Sequence, residues 1–145
     1  MPLVTREQER MTWSWRALTA QSRFGATPAA WSANNNKESE YLSRCKKGPS
    51  LIYSSGVGQA LAFLMSRGGS TGKNVAEDVE SIVKRVLNLP RNQSLFGMLR
   101  TMDAGMYSAV TEEAIEAFSW LALYLQGEGV KPKADATENG GEADD

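Results

Sequence analysis

At 145 residues, 41% hydrophobic and 23% charged, the chain has the size and composition of one globular domain whose core needs neither metal nor disulfide staples. It contains no histidine and one cysteine, which removes the usual zinc sites, the Ser-His and Cys-His nucleophile pairs and any internal disulfide. The formal charge of -1 conceals an asymmetry: residues 1–100 carry 14 Lys or Arg against 7 acids, whereas residues 134–145 carry 5 acids and no base.

A basic body suits an anionic partner such as RNA, and equally suits an ordinary solvated helical surface. The segment from Met1 to Arg16 carries Arg6, Arg10 and Arg16 and holds no apolar run of signal-peptide length, so a cytoplasmic protein is expected. The apolar stretches Ala60–Met65 and Trp120–Leu125 are far shorter than the roughly 20 residues of a membrane span.

In chain order, Thr5-Arg6-Glu7-Gln8 has the form of a capping box and opens a first helix. Met11, Trp15, Leu18 and Ser22 recur at helical spacing and form its expected core stripe; Arg6, Arg10 and Trp13 fall on the other side. Trp13 therefore needs a covering helix, a partner protein or a stacked base. Residues 25–36 form a connection rich in Gly, Pro, Ser and Asn. A second helix follows from about Lys37, with Tyr41, Leu42 and Cys45 on one side. Arg44, Lys46 and Lys47 crowd its expected last turn before Gly48-Pro49, where cations either complement the helix end or contact phosphate.

Leu51 to Arg67 reads as a helix bent around Gly56, with Val57, Leu61, Leu64 and Met65 on one face and Phe63 on the far side. Gly68 to Gly72 reads as a flexible loop. Asn74 then opens the cleanest amphipathic pattern, Val75, Val79, Ile82, Val83 and Val86, which fits a period of about 3.6 and contradicts strand alternation. Leu89-Pro90 ends it, and Ser94 to Met102 supports a short helix with Leu95, Met98 and Leu99 inward.

A last helix is expected from Thr111 to about Gln126, with Ala114, Phe118, Leu121, Ala122 and Leu125 on the core face. Trp120 and Leu123 lie on its polar side among Glu112, Glu113 and Glu116, under another helix or another protein. The three acids read as a solvated first turn rather than a catalytic pair. From Gly127 onward the composition is too polar and Gly-rich to order, so the expected organisation is an all-α, compact single-domain bundle of about five to seven helices over residues 1–127 and a disordered acidic tail over 128–145.

Nucleotide-binding motifs fail on inspection. Gly72-Lys73 lacks glycine at Arg67 and Ser or Thr at Asn74; Gly56-Val57-Gly58 has Leu61 where a third glycine is required. Ser-x-x-Lys occurs three times, at Ser43, Ser70 and Ser81, with no companion motif, and the sequon at Asn92 has no secretory context. No catalytic residue, metal ligand or cofactor is assigned.

Residues 41–52 (YLSRCKKGPSLI), 55–64 (SGVGQALAFL) and 112–121 (EEAIEAFSWL) together resemble the small helical subunit of Cmr-type (type III-B) CRISPR effector complexes. The likeness runs over residues 5 to 126, with Gly48 standing where leucine is expected before the proline and the acidic tail without a counterpart. The resemblance implies a non-catalytic subunit that stacks with copies of itself and with other Cmr subunits, contacting guide and target RNA in antiviral defence. The candidate RNA-backbone residues are Arg16, Arg23, Arg44, Lys46, Lys47, Arg67 and Lys73, and the candidate protein-facing residues Trp13, Trp120 and Leu123. A helical adaptor contacting only protein is the alternative.

Overall fold

The computed structural model describes residues 4–19, 24 and 35–132. Among them are six helices and no strand: α1 (Arg6–Leu18), α2 (Asn35–Ser55), α3 (Val57–Arg67), α4 (Gly69–Val86), α5 (Leu95–Leu99) and α6 (Ala104–Gly127). The expected all-α bundle is the observed one. α2 and α6 lie against each other, α3 pairs with α4, and α1 bridges α4 and α6. One core joins them, with Tyr41, Leu42, Leu61, Leu64, Ile82, Leu95, Phe118, Leu121 and Leu125 essentially inaccessible to solvent. The connection expected over 25–36 lies outside the described residues, apart from the start of α2.

α1 begins as its sequence indicates, with Thr5 Oγ1 accepting from Gln8 N–H (3.0 Å) and Gln8 Oε1 accepting from Thr5 N–H (2.9 Å). Its inward face is rotated from the expected stripe. Ser14, Ala17 and Leu18 are buried, Arg10 turns inward with them, and Met11 is exposed. Arg10 faces a buried carboxylate on α6, Glu113, which would be left unpaired if the helix turned Met11 inward instead.

α2 does not stop at Gly48-Pro49. It continues to Ser55, so Arg44, Lys46 and Lys47 sit in mid-helix and cap nothing, correcting the expected helix end. Proline removes a donor and normally interrupts a helix. Here Gly48 is buried so tightly on α6 that an added Cβ would clash with the Phe118 ring, and Ile52 is buried one turn further on. Packing on both sides of the proline holds the helix together. The break falls at Gly56, whose φ of 89° no ordinary side chain adopts comfortably.

The segment from Gly68 to Gly72 is likewise not a loop. Only Gly68 and Gly69 turn the chain, and α4 includes Gly72, which is buried. A Cβ on Gly72 would stand 2.6 Å from Leu64 O, so glycine is what lets α4 fold back onto α3. The amphipathic pattern of α4 is as expected: Val75, Val79, Ile82, Val83 and Val86 are all buried. α4 is joined to α2 by a buried hydrogen bond, Tyr41 Oη donating to Asp78 Oδ2 at 2.6 Å.

α4 and α6 end in the same way. Leu89 N–H donates to Lys84 O (2.8 Å) and Asn88 N–H to Arg85 O (3.3 Å), with Asn88 left-handed at φ 58°. Val130 N–H donates to Leu125 O and Gly129 N–H to Gln126 O, both at 3.0 Å, with Gly129 at φ 92°. Both are Schellman caps. α6 starts seven residues before the expected Thr111, at Ala104, because Asp103 Oδ1 caps Met106 N–H at 2.8 Å. At its far end Val130 is 3% exposed, so the body extends past the expected 127/128 boundary; residues 133–145 lie outside the described residues. Gly129→Ala should lower the unfolding free energy by about 1 kcal/mol, read by urea denaturation, through the strain of a left-handed alanine. An unchanged midpoint would mean the cap is not formed.

Candidate nucleic-acid interface

The structure distributes the proposed RNA-backbone residues over three places. Arg16 lies at the end of α1; Arg67 and Lys73 flank the turn from α3 to α4; Arg44, Lys46 and Lys47 lie in mid-α2. Arg16, Lys46, Lys47, Arg67 and Lys73 are exposed. Arg44 is half-buried, and its Nε is buried without a hydrogen-bond partner among the described residues. Arg23 lies outside them.

Trp13 is half-buried and packs against the core. Its cover is α4, in the form of the Arg85 guanidinium, which lies 4.4 Å from the centre of the indole, and Arg16 lies 5.2 Å from it on the α1 side. Arg85 escaped sequence reasoning because it stands 72 residues from Trp13; the signal within reach was Arg16, one helical turn after Trp13.

The acids of α6 are not a solvated first turn, since α6 has begun eight residues before Glu112. Glu113 is 2% exposed and receives Arg10 in fork geometry, Nε to Oε1 and Nη2 to Oε2, both at 2.7 Å. Arg6 Nη1 adds a bond of 3.1 Å. Burial pushes the Glu113 carboxyl up, but the bonds and charges of the two arginines outweigh it and hold the group below the usual glutamate range. The same bond, opposed by burial, raises Arg10 above its ordinary value. Glu112 and Glu116 stand 3.8 and 3.9 Å from Arg10 and remain more exposed. The spacing Glu113, Ala117, Leu121 places the acid on the core side and could have revealed it.

Of the proposed protein-facing residues, Trp120 is half-buried, with its ring 5.6 Å from that of Tyr124. Tyr124 in turn meets Trp15 edge-on at 5.0 Å, and burial raises its hydroxyl pKa. Leu123 is 55% exposed, and no helix among the described residues shelters it. Chemistry by the chain's one thiol is disfavoured. Cys45 is fully buried, and burial, seconded by the charge of Asp78, pushes it well above the usual thiol range, away from the reactive thiolate. Among the described residues no group of three His, Cys, Asp or Glu could hold a metal, and no helix is long and apolar enough to cross a membrane.

The family model of the CRISPR-associated protein Cas_Cmr5 matches residues 7–127. The chain belongs to the Cmr5 family. It is thus a small Cmr-type CRISPR subunit, as the residue pattern indicated, and Cmr5 membership implies a complex with other Cmr subunits. Among solved structures, the chain is similar to the crystal structure of a CRISPR-associated Cmr5 family protein from Thermus thermophilus. The two share 24% identity and a TM-score of 0.62 over 86% of this chain and 97% of that one. At that identity the likeness speaks to the Cmr5 fold alone. No curated protein sequence matches the chain significantly.

Proposed function

We propose that the chain is a non-catalytic structural subunit of a type III-B CRISPR ribonucleoprotein, stacking along the complex beside copies of itself and contacting the guide and target RNA backbone. The observation that carries the RNA contact is how the charges are divided. Glu113 takes up Arg6 and Arg10 within the α1–α6 seam. Arg16, Lys46, Arg67, Lys73, Arg85 and Arg91 have no carboxylate within salt-bridge distance among the described residues. Unpaired surface cations of this kind bind phosphate without reading sequence. Exposed Leu123 beside half-buried Trp120 favours protein contact on α6, which both this reading and the adaptor alternative require.

Replacing Lys46, Lys47, Arg67 and Lys73 by alanine in the reconstituted complex separates the two. RNA contact predicts weaker RNA retention, with the slope of log K against log salt smaller by about 0.7 for each phosphate that is no longer neutralised, and intact assembly. An adaptor predicts no change in RNA retention.

A further inference from the structure

The contacts between helices fix which of their ends lie together. An added Cβ on Gly48 would meet the Phe118 ring and one on Gly56 would stand 3.7 Å from Tyr107 Oη, so α2 runs antiparallel to α6 and its start lies beside the end of α6. Thr71 Oγ1 donates to Glu40 Oε1 at 3.1 Å and Tyr41 Oη to Asp78 Oδ2 at 2.6 Å, which sets the start of α4 against the start of α2. α1 runs parallel to α6, since Arg10 meets Glu113 and Trp15 meets Tyr124, so Arg16 in its last turn lies toward the same end. The starts of α2 and α4 and the ends of α1 and α6 therefore share one end of the bundle. From that end the chain continues beyond the cap that fixes Val130.

That end carries uncompensated cations. Arg16, Lys37, Arg67 and Lys73 are exposed and have no carboxylate within salt-bridge distance among the described residues. Glu38, Glu40 and Glu128 at the same end pair with none of them. The opposite charge follows in the sequence, where residues 134–145 carry 5 acids and no base. Neighbouring helix axes lie about 8–10 Å apart, whereas a segment of this length spans up to about 40 Å when extended, so it reaches the starts of α2 and α4 with slack. A tethered segment meets cations near its anchor at a roughly millimolar effective concentration that falls as the span grows. This end is therefore favoured over Lys46, about 14 Å further along α2 than Lys37.

We propose that residues 134–145 dock in cis on this end of the bundle, their carboxylates pairing with Arg16, Lys37, Arg67 and Lys73, and that RNA must displace them to reach those cations. The masking role rests on the RNA reading above, whereas the docking does not. The acids are spread along the segment as the cations are spread over four helices, so no convergent pocket is needed. Exposed ion pairs are individually weak and screened by salt, which suits a contact that a polyanion displaces. RNA carries one charge per nucleotide, whereas the segment carries fewer than one acid for every two residues.

Carbodiimide cross-linking of the full chain, which joins a carboxylate to a lysine only where the two touch, tests the docking without RNA. In an equal mixture of nitrogen-15-labelled and unlabelled chains at about 50 mM NaCl, mass spectrometry should find residues 134–145 joined to Lys37 or Lys73 within one chain, and the links should vanish at about 500 mM. Links to Lys46 alone, or no link beyond the sequence neighbours Lys131 and Lys133, would overturn the proposal. Links found only between a labelled and an unlabelled chain would overturn it in favour of a second copy. Fluorescence anisotropy with a labelled 20-nucleotide single-stranded RNA tests the masking. Deleting residues 134–145 should tighten binding about fivefold at about 50 mM NaCl and steepen the salt slope by about 0.7 for each cation released. In an Arg67→Ala, Lys73→Ala background the gain on deletion should shrink to about twofold or less. An equal gain in both backgrounds would mean that the segment repels RNA in general, and the proposal fails. If no form binds RNA even at low salt, the RNA reading fails and the masking role with it, and the cross-links still decide the docking.

Discussion

Gly48→Ala is expected to lower the unfolding free energy by about 1–3 kcal/mol, at the upper end of that range, because the added carbon would clash with the edge of the Phe118 ring formed by Cγ, Cδ1 and Cε1. Phe118 is fully buried between α2 and α6, so it cannot swing into solvent to make room. Gly48→Ala combined with Phe118→Leu should recover part of the loss, giving a coupling energy of about 1 kcal/mol or more in a double-mutant cycle by urea denaturation. Wild-type stability for Gly48→Ala would show that the two helices do not approach as described.

The second large effect is expected at Glu113. Replacing Arg10 by alanine removes the fork and leaves a buried carboxylate with only Arg6 beside it, a loss of about 3–5 kcal/mol. Arg6, half exposed, should matter by only about 0–1 kcal/mol. Glu113→Gln in the Arg10→Ala background should restore stability, because the uncompensated charge is gone.

The pH dependence follows in sign. The folded pKa of Glu113 lies below its ordinary value, so its contribution is complete above the unfolded pKa of about 4.3 and disappears as pH falls through the folded value. The melting temperature should be nearly flat from about pH 5.5 to 8, since the chain has no histidine and its thiol is raised by burial. Below about pH 4 it should fall, and less steeply in Glu113→Gln than in wild type. Equal acid slopes in the two proteins would mean that Glu113 is not ionised in the native state.

How much of this was legible in the sequence depends on whether the deciding partner is local. α4 was readable because five β-branched residues repeat at helical spacing and each meets the same core. The capping box at Thr5 was readable because both of its bonds span three residues. Gly48-Pro49 misled because the local signals for a helix end are real. What overrides them is the fit of Gly48 to Phe118, 70 residues away. The inward face of α1 was misplaced for the same reason, since Arg10 counts as a surface residue until Glu113 is known to face it. Val130 looked like tail because only the turn at Gly129 returns it to the core. At the candidate site the number of cations was visible, but which of them are already paired was not. Arg16 belonged to the sequence-based set, whereas Arg85 enters only where α1 meets α4.

The central claim is that this Cmr5-family chain contributes shape and unpaired positive charge to an RNA-containing assembly. Ultraviolet cross-linking of the assembled ribonucleoprotein, followed by mass spectrometry of nucleotide-modified peptides, tests it most directly. The account predicts adducts on peptides containing Trp13 and Arg16, Arg85 and Arg91, or Lys46 and Lys47, and none on the α6 face carrying Trp120 and Leu123. RNA adducts on every neighbouring subunit but none on this chain, or adducts confined to the Leu123 face, would contradict it.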